Sequence, residues 1–233
     1  MTSEQPGLFE ELAEQLDQAR TEAYLIAEAE DYSYLPFLPG VEVGQAYPEI
    51  KDLGELAGVA RECRRCRLRE SCSQVVFGEG PPDARLMLIG EGPGQDEDIQ
   101  GRPFVGKAGQ LLDKILEAAG IQRSQVYIGN VVKCRPPGNR LPNPDEVKEC
   151  RKYLERQIKL IRPSIIVCLG SMASQTVIDP NAKITRIRGR WLIRQGIKIM
   201  PTYHPAALLR NPSYKRPVWE DFKQIRDEYR NCR

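Results

Sequence analysis

With 233 residues, 41% of them hydrophobic and 28% charged, the chain can bury one sizeable core and carry an appendage. No apolar run approaches the roughly 18 residues of a membrane span. The acidic start MTSEQPGLFEELAEQ lacks the apolar stretch of a secretory signal, so a cytoplasmic protein is expected. Seven cysteines make an odd count for a disulfide framework, and in a reducing compartment they point to metal ligands or core positions.

The net charge of +2 conceals an asymmetry. Residues 1–50 hold eleven acids and one base, Arg20, which leaves 33 bases against 21 acids from residue 51 onward. So basic a body attracts a polyanion, nucleic acid first among them.

In chain order, GLFEELAEQLDQARTEAYLIAEAED has apolar residues at helical spacing (Leu8, Leu12, Leu16, Ala19, Ala23, Ile26). The prolines of YLPFLPG then break it. Residues 1–48 read as an acidic helical arm with a linker, and residues 49–233 as the main domain. The pattern DLGELAGVARECRRC predicts a helix and ARLMLIG a strand. A glycine-rich loop follows, and then the helix AGQLLDKILEAAG, closed by Gly120. QVYIGNVV predicts a second strand. PNPDEVKECRKYLERQIKLIRP predicts a helix with Asn143 as N-cap and Pro144 in its first turn. SIIVCLG is apolar throughout, as a buried parallel strand should be. SMASQTVI is a short helix, WLIRQGIKIMPTYH holds a hairpin-like turn and the last strand, and VWEDFKQIRDEYR closes the chain as a helix.

Alternating strands and helices predict a parallel sheet covered on both faces, with the working site at the carboxyl ends of its strands. Those ends are Gly90–Gly94, Gly129–Cys134, Gly170–Ser171 and His204–Arg210.

Cys63 and Cys66 form a C-x2-C pair, and Cys134 and Cys150 stand sixteen apart. Two close thiolates and two distant ones can close a sulfur cage around zinc or an iron–sulfur cluster, and spacing does not separate the two. Cys72 is a weaker candidate, Cys168 reads as core and Cys232 as a free thiol. The first strand empties into GEGPGQDEDIQGRPFVGKAGQLLD, where glycines suggest phosphate and carboxylates argue against it. His204, the only histidine, sits at the last strand's end. In the segment after it, Leu208 beside Arg210 fits a wedge pushed into a base stack, with a helix whose leucines pack inward as the bland alternative. Gly170 and Ser171 at a helix start, Arg210, and Lys107 at another helix start are candidate phosphate contacts.

Taken together, GEGPGQDEDIQGRPFVGKAGQLLD, GNVVKCRPPGNR, LGSMA, HPAALLRN and the four cysteines resemble the family 4 uracil-DNA glycosylases, over about residues 55–230. The family's acidic string is more often GEEED; here Gln95 and Asp96 replace two glutamates, while Glu97 and Asp98 remain. The resemblance implies an α/β/α sandwich around a four-stranded parallel sheet and a 4Fe–4S cluster on Cys63, Cys66, Cys134 and Cys150. It implies hydrolysis of the bond between uracil and deoxyribose in DNA, leaving an abasic site. A related group that joins covalently to the abasic site uses a histidine in a basic loop, and no histidine stands near Lys133–Arg140.

On that reading Gly90, Gly92, Pro93 and Gly94 line a pocket for a flipped base, Phe104 stacks on it, and the Asn130 amide pairs with the O4 and N3–H edge of uracil. His204 donates to uracil O2 as negative charge develops, and Glu91 or Glu97 stabilises the sugar cation and orients water. The protein is expected to act as a monomer, its arm masking the basic face or binding a protein partner. Two rival readings are an electron carrier built on the cluster and a DNA-binding module with structural zinc.

Overall fold

The computed structural model describes residues 32–34, 47 and 49–232; the acidic helical pattern proposed for residues 7–31 lies outside them. Among the described residues six strands form one sheet: β1 (Tyr32–Tyr34), β2 (Leu86–Gly90), β3 (Tyr127–Asn130), β4 (Ile165–Leu169), β5 (Trp191–Arg194) and β6 (Ile197–Thr202), in the order β1-β5-β6-β4-β2-β3. The pairs β6–β4, β4–β2 and β2–β3 are parallel, which gives the expected parallel core of four strands. The strand β5 adds to it antiparallel to β6, through a two-residue turn in which Gln195 and Gly196 both take positive φ (51° and 80°). Such turns match the twist of the strands they join. The sheet then ends in three residues of β1, parallel to β5 with Tyr32 opposite Trp191.

Side chains alternate across this sheet, as the pleat requires. Met87, Ile89, Ile166, Cys168 and Ile199 face one way and pack with Leu154 and Ile161 of α5 (Pro144–Ile161) and Ala173 and Val177 of α6 (Ser171–Val177). Leu86, Leu88, Ile128, Val167 and Met200 face the other way. They meet Leu112 and Leu116 of α4 (Lys107–Ala118) and Val218, Phe222 and Ile225 of α9 (Lys215–Asn231). Three layers result. Each fully buried Leu or Ile contributes about 1.5–3 kcal/mol. The first helix, α1 (Leu53–Arg61), packs Leu56 and Ala60 against Tyr153 of α5. Among the described residues no helix is long and apolar enough to cross a membrane.

Short elements that apolar periodicity cannot reveal complete the fold: α2 (Leu68–Ser71), α3 (Gln95–Gln100), α7 (Ile184–Ile187) and α8 (Pro205–Arg210). The most telling is α3, which occupies what reads in sequence as a glycine-rich loop. Gly94 is its N-cap, and its first turn carries Asp96, Glu97 and Asp98, where the helix dipole favours acids.

Candidate active site

A cleft of about 690 Å³ opens over the carboxyl ends of β2, β3, β4 and β6. Gly90, the last residue of β2, pairs with Asn130, the last of β3. A Cβ on Gly90 would stand 2.5 Å from Asn130 Oδ1 and 2.5 Å from Phe104 Cζ. Only glycine lets these two groups close over the strand end. Glu91, Gly92, Pro93, Gly94, Phe104, Asn130, Gly170, Ser171, His204 and Arg210 all line the cleft, which lies at the strand ends where the working site is expected.

The carboxylates after the glycines have backbone partners, which resolves their conflict with a phosphate loop. Buried Glu97 accepts from the amides of Gly94 (3.1 Å), Val105 (2.9 Å) and Gly106 (2.8 Å). It thereby holds the turn on which Phe104 takes φ +51°. Gly109 completes that turn: a Cβ there would lie 1.9 Å from the Phe104 carbonyl oxygen. Asp98, also buried, accepts from the amides of Ser73 (2.9 Å) and Gln74 (3.4 Å), tying α3 to the chain beyond Cys72.

Asn130 is 1% exposed, and its Oδ1 has no hydrogen-bond partner among the described residues. A buried acceptor left open in this way is a vacancy for a donor. His204 is the N-cap of α8, and its Nδ1 accepts from the Ala206 amide at 3.1 Å. That bond places the neutral ring's proton on Nε2. Burial pushes the His204 pKa down to about 4, the Arg210 cation adds to the shift, and Glu97 opposes it. The ring is therefore a neutral N–H donor at pH 7. The Phe104 and His204 rings are tilted with centroids 5.5 Å apart. The Glu91 carboxylate has no hydrogen-bond partner among the described residues; burial raises its pKa and Arg210 lowers it.

One expected contact is corrected, and a second lies outside the cleft. Leu208 is 2% exposed and sits in the core where α8 packs on α4, so it cannot be a wedge. Pro205 and Leu208 share the inward face of α8, while Leu209, at 49% exposure, points outward. Lys107 is exposed at the start of α4 but does not line the cleft. The structure adds Arg140, from the GNVVKCRPPGNR motif, and wall residues without a motif signal: Leu141, Ile184, Thr185, Tyr203 and Tyr214. Tyr203 and Tyr214 stack at 4.3 Å, and Leu141 is 64% exposed.

Cys63, Cys66, Cys134 and Cys150 line one small cavity together with Arg65, Arg69, Lys133 and Tyr153. Cys150 Sγ accepts from the Lys133 amide at 3.1 Å, and burial pushes its thiol up to about 12. Among the described residues no three His, Cys, Asp or Glu side chains converge as ligands of a single metal ion. Cys72 is buried near Cys134 without lining the cavity, and Cys168 is wholly buried in β4. Arg67, next to Cys66, and Arg140 both donate to the buried carboxylate of Glu146 in the first turn of α5. This ion-pair group fastens the C-x2-C segment to the loop that walls the cleft.

A family model described as the uracil DNA glycosylase superfamily matches residues 77–223, a span that holds every cleft residue named above. A type-4 uracil-DNA glycosylase of Sulfurisphaera tokodaii is 46% identical over 174 residues, covering 71% of this chain and 79% of its own. One from Thermotoga maritima is 46% identical over 172 residues, covering 71% and 88%. A type-5 uracil-DNA glycosylase of Pyrobaculum aerophilum is more distant, at 31% over 146 residues, covering 55% and 64%. With this match and these identities, the chain belongs to the uracil DNA glycosylase superfamily, in its type-4 family.

Proposed function

We propose that the protein excises uracil from DNA by hydrolysing the N-glycosidic bond, the first step of base excision repair. The observation that carries this reading is the unpartnered Oδ1 of buried Asn130, in a cleft that a neutral histidine N–H donor, His204, also lines. A base within a duplex must rotate out to reach such a cleft. Asn130 Oδ1 then accepts from uracil N3–H and its NH2 donates to O4. Cytosine presents the reverse pattern and leaves both groups unpaired.

As the bond to the sugar breaks, negative charge gathers on uracil O2, where His204 Nε2–H donates. One such donor is worth roughly a hundred- to a thousandfold in rate. Glu91, whose carboxylate has no hydrogen-bond partner among the described residues, is the group that orients water and faces the sugar cation. Glu97 is the poorer candidate, since three backbone amides hold its oxygens. Phe104 stacks on the base. Arg210 and Ser171 meet phosphates, and Leu209 takes the outward position first expected of Leu208.

The four cysteines fit an iron–sulfur cluster. They surround one cavity amid cationic side chains, which offset the charge of four thiolates. Thiolates on one zinc, at about 2.3 Å each, would have to crowd to within about 4 Å of one another, whereas each corner of a 4Fe–4S cluster takes its own. Cys63, Cys66, Cys134 and Cys150 would hold it, and its contribution is structural, joining the C-x2-C segment to β3 and α5. A cytoplasmic monomer with a masking or partner-binding acidic arm completes the proposal.

The deciding experiment incubates the purified protein with an oligonucleotide carrying one uracil, followed by alkali. Scission at the uracil, absent from a thymine control, is expected. An intact strand from protein that carries the brown colour of an iron–sulfur cluster would return the electron-carrier reading, and an intact strand from colourless protein the DNA-binding reading with structural zinc.

A further inference from the structure

A buried polar network lies directly beneath the base-reading residue. Lys133 is 2% exposed, and its ammonium donates to the Asn130 carbonyl oxygen at 2.7 Å and to Gln157 Oε1 at 2.6 Å. Gln157, wholly buried on α5, donates onward through Nε2 to the Phe77 carbonyl (2.9 Å) and the Tyr127 hydroxyl (2.8 Å). Among the described residues Lys133 makes no ion pair with a carboxylate. Burying an ammonium without such a partner is strongly disfavoured, and an apolar side chain of similar length could fill the space. Core packing alone therefore does not account for a lysine here.

Resting on the reading of the cleft above, we infer that Lys133 is a positioning residue for base recognition, holding Asn130 at the end of β3 through its carbonyl. The strand β3 is the edge of the sheet, and the Asn130 carbonyl at its end needs a partner once buried. The Lys133 ammonium supplies one from three residues further on. The backbone of Lys133 is itself fixed on both sides: its amide donates to Cys150 Sγ at 3.1 Å, and its carbonyl accepts from the Val76 amide at 2.7 Å. With its main chain clamped from below, the Asn130 side chain keeps Oδ1 turned to the cleft although no protein donor holds it there. Gln157 aims the ammonium and anchors the network to α5.

The test is a double-mutant cycle in the full chain, read as the single-turnover rate on an oligonucleotide with one uracil. The cluster's visible absorbance is followed for each variant. Lys133→Met is expected to slow excision by roughly ten- to a hundredfold, the cost of misplacing a binding group by about an ångström, with the absorbance retained. In an Asn130→Ala background the same change should cost almost nothing, because no amide remains to be positioned. A wild-type rate for Lys133→Met, or losses that multiply in the double variant, would overturn the inference. If Lys133→Met does not fold, as read by far-UV circular dichroism, Gln157→Met takes its place in the same cycle, where a wild-type rate or multiplying losses would overturn the inference in the same way. Failure of the wild-type protein to excise uracil would instead sink the functional reading, and that is seen before any variant is compared.

Discussion

His204 shows how much chemistry a single hydrogen bond can settle. By accepting from the Ala206 amide at Nδ1, the ring keeps its proton on Nε2, and the pKa of about 4 keeps it neutral. Activity should therefore show no loss from this residue as pH falls from 7 toward 5, and His204→Ala should cut the single-turnover rate roughly a hundred- to a thousandfold at every pH in that range. Stability behaves differently. Unfolded histidine takes up a proton near 6.5 and the folded one only near 4, so between those values the unfolded state binds more protons. The stability contributed by the neutral ring is complete above about 6.5 and falls as pH falls through that window. Urea midpoints at pH 7 and pH 5 should thus diverge more for the wild type than for His204→Gln, and equal divergence would remove histidine as the cause. Asn130 offers a second test. Asn130→Asp puts a carboxylate where cytosine's amino group can donate, so the preference for uracil over cytosine should fall by about a hundredfold or more, measured on paired oligonucleotides.

At the scale of elements, α3 and the Phe104 turn behave as one piece. Glu97 reaches from the first turn of α3 to two amides beyond Phe104, so Glu97→Ala should release the stacking ring and lower the rate by roughly tenfold or more. The loss should appear mostly as weaker binding of the base; a pure loss of the chemical step with unchanged KM would assign Glu97 to catalysis instead. The sequence announced the long elements because their apolar periods are long: β2, β4, α4, α5 and α9 stand where spacing placed them. It hid α3 and offered α8 only as the alternative to a wedge, since their six residues span less than two turns. In the tail of HPAALLR two adjacent leucines leave the inward one undecided, and only the docking of α8 on the core assigns Leu208 to the interior. Lys133 was illegible for a different reason. A lysine in a basic stretch reads as surface, and nothing local reveals that Gln157, on a distant helix, will meet its ammonium.

For the whole molecule, parallel β2, β3, β4 and β6 bring residues spread from Gly90 to Arg210 to one end of the sheet. Cys134, just beyond the end of β3, lines one cavity with Cys63, Cys66 and Cys150, so the group that would hold the metal and the group that would read the base share the segment from Asn130 to Cys134. The far border of the sheet is built otherwise. Among the described residues, three pair with the edge of β5, Tyr32–Tyr34, from the stretch that precedes the family match. A protein shortened to begin at residue 49 keeps every cleft residue and should keep its excision rate on an oligonucleotide. It would also bare the hydrogen-bonding groups of Trp191–Arg194, an invitation for one molecule to add its strand to another's. Light scattering at increasing concentration should then show the shortened chain growing into assemblies that the full chain does not form. The short strand Tyr32–Tyr34 would thus act as this repair enzyme's guard against self-association.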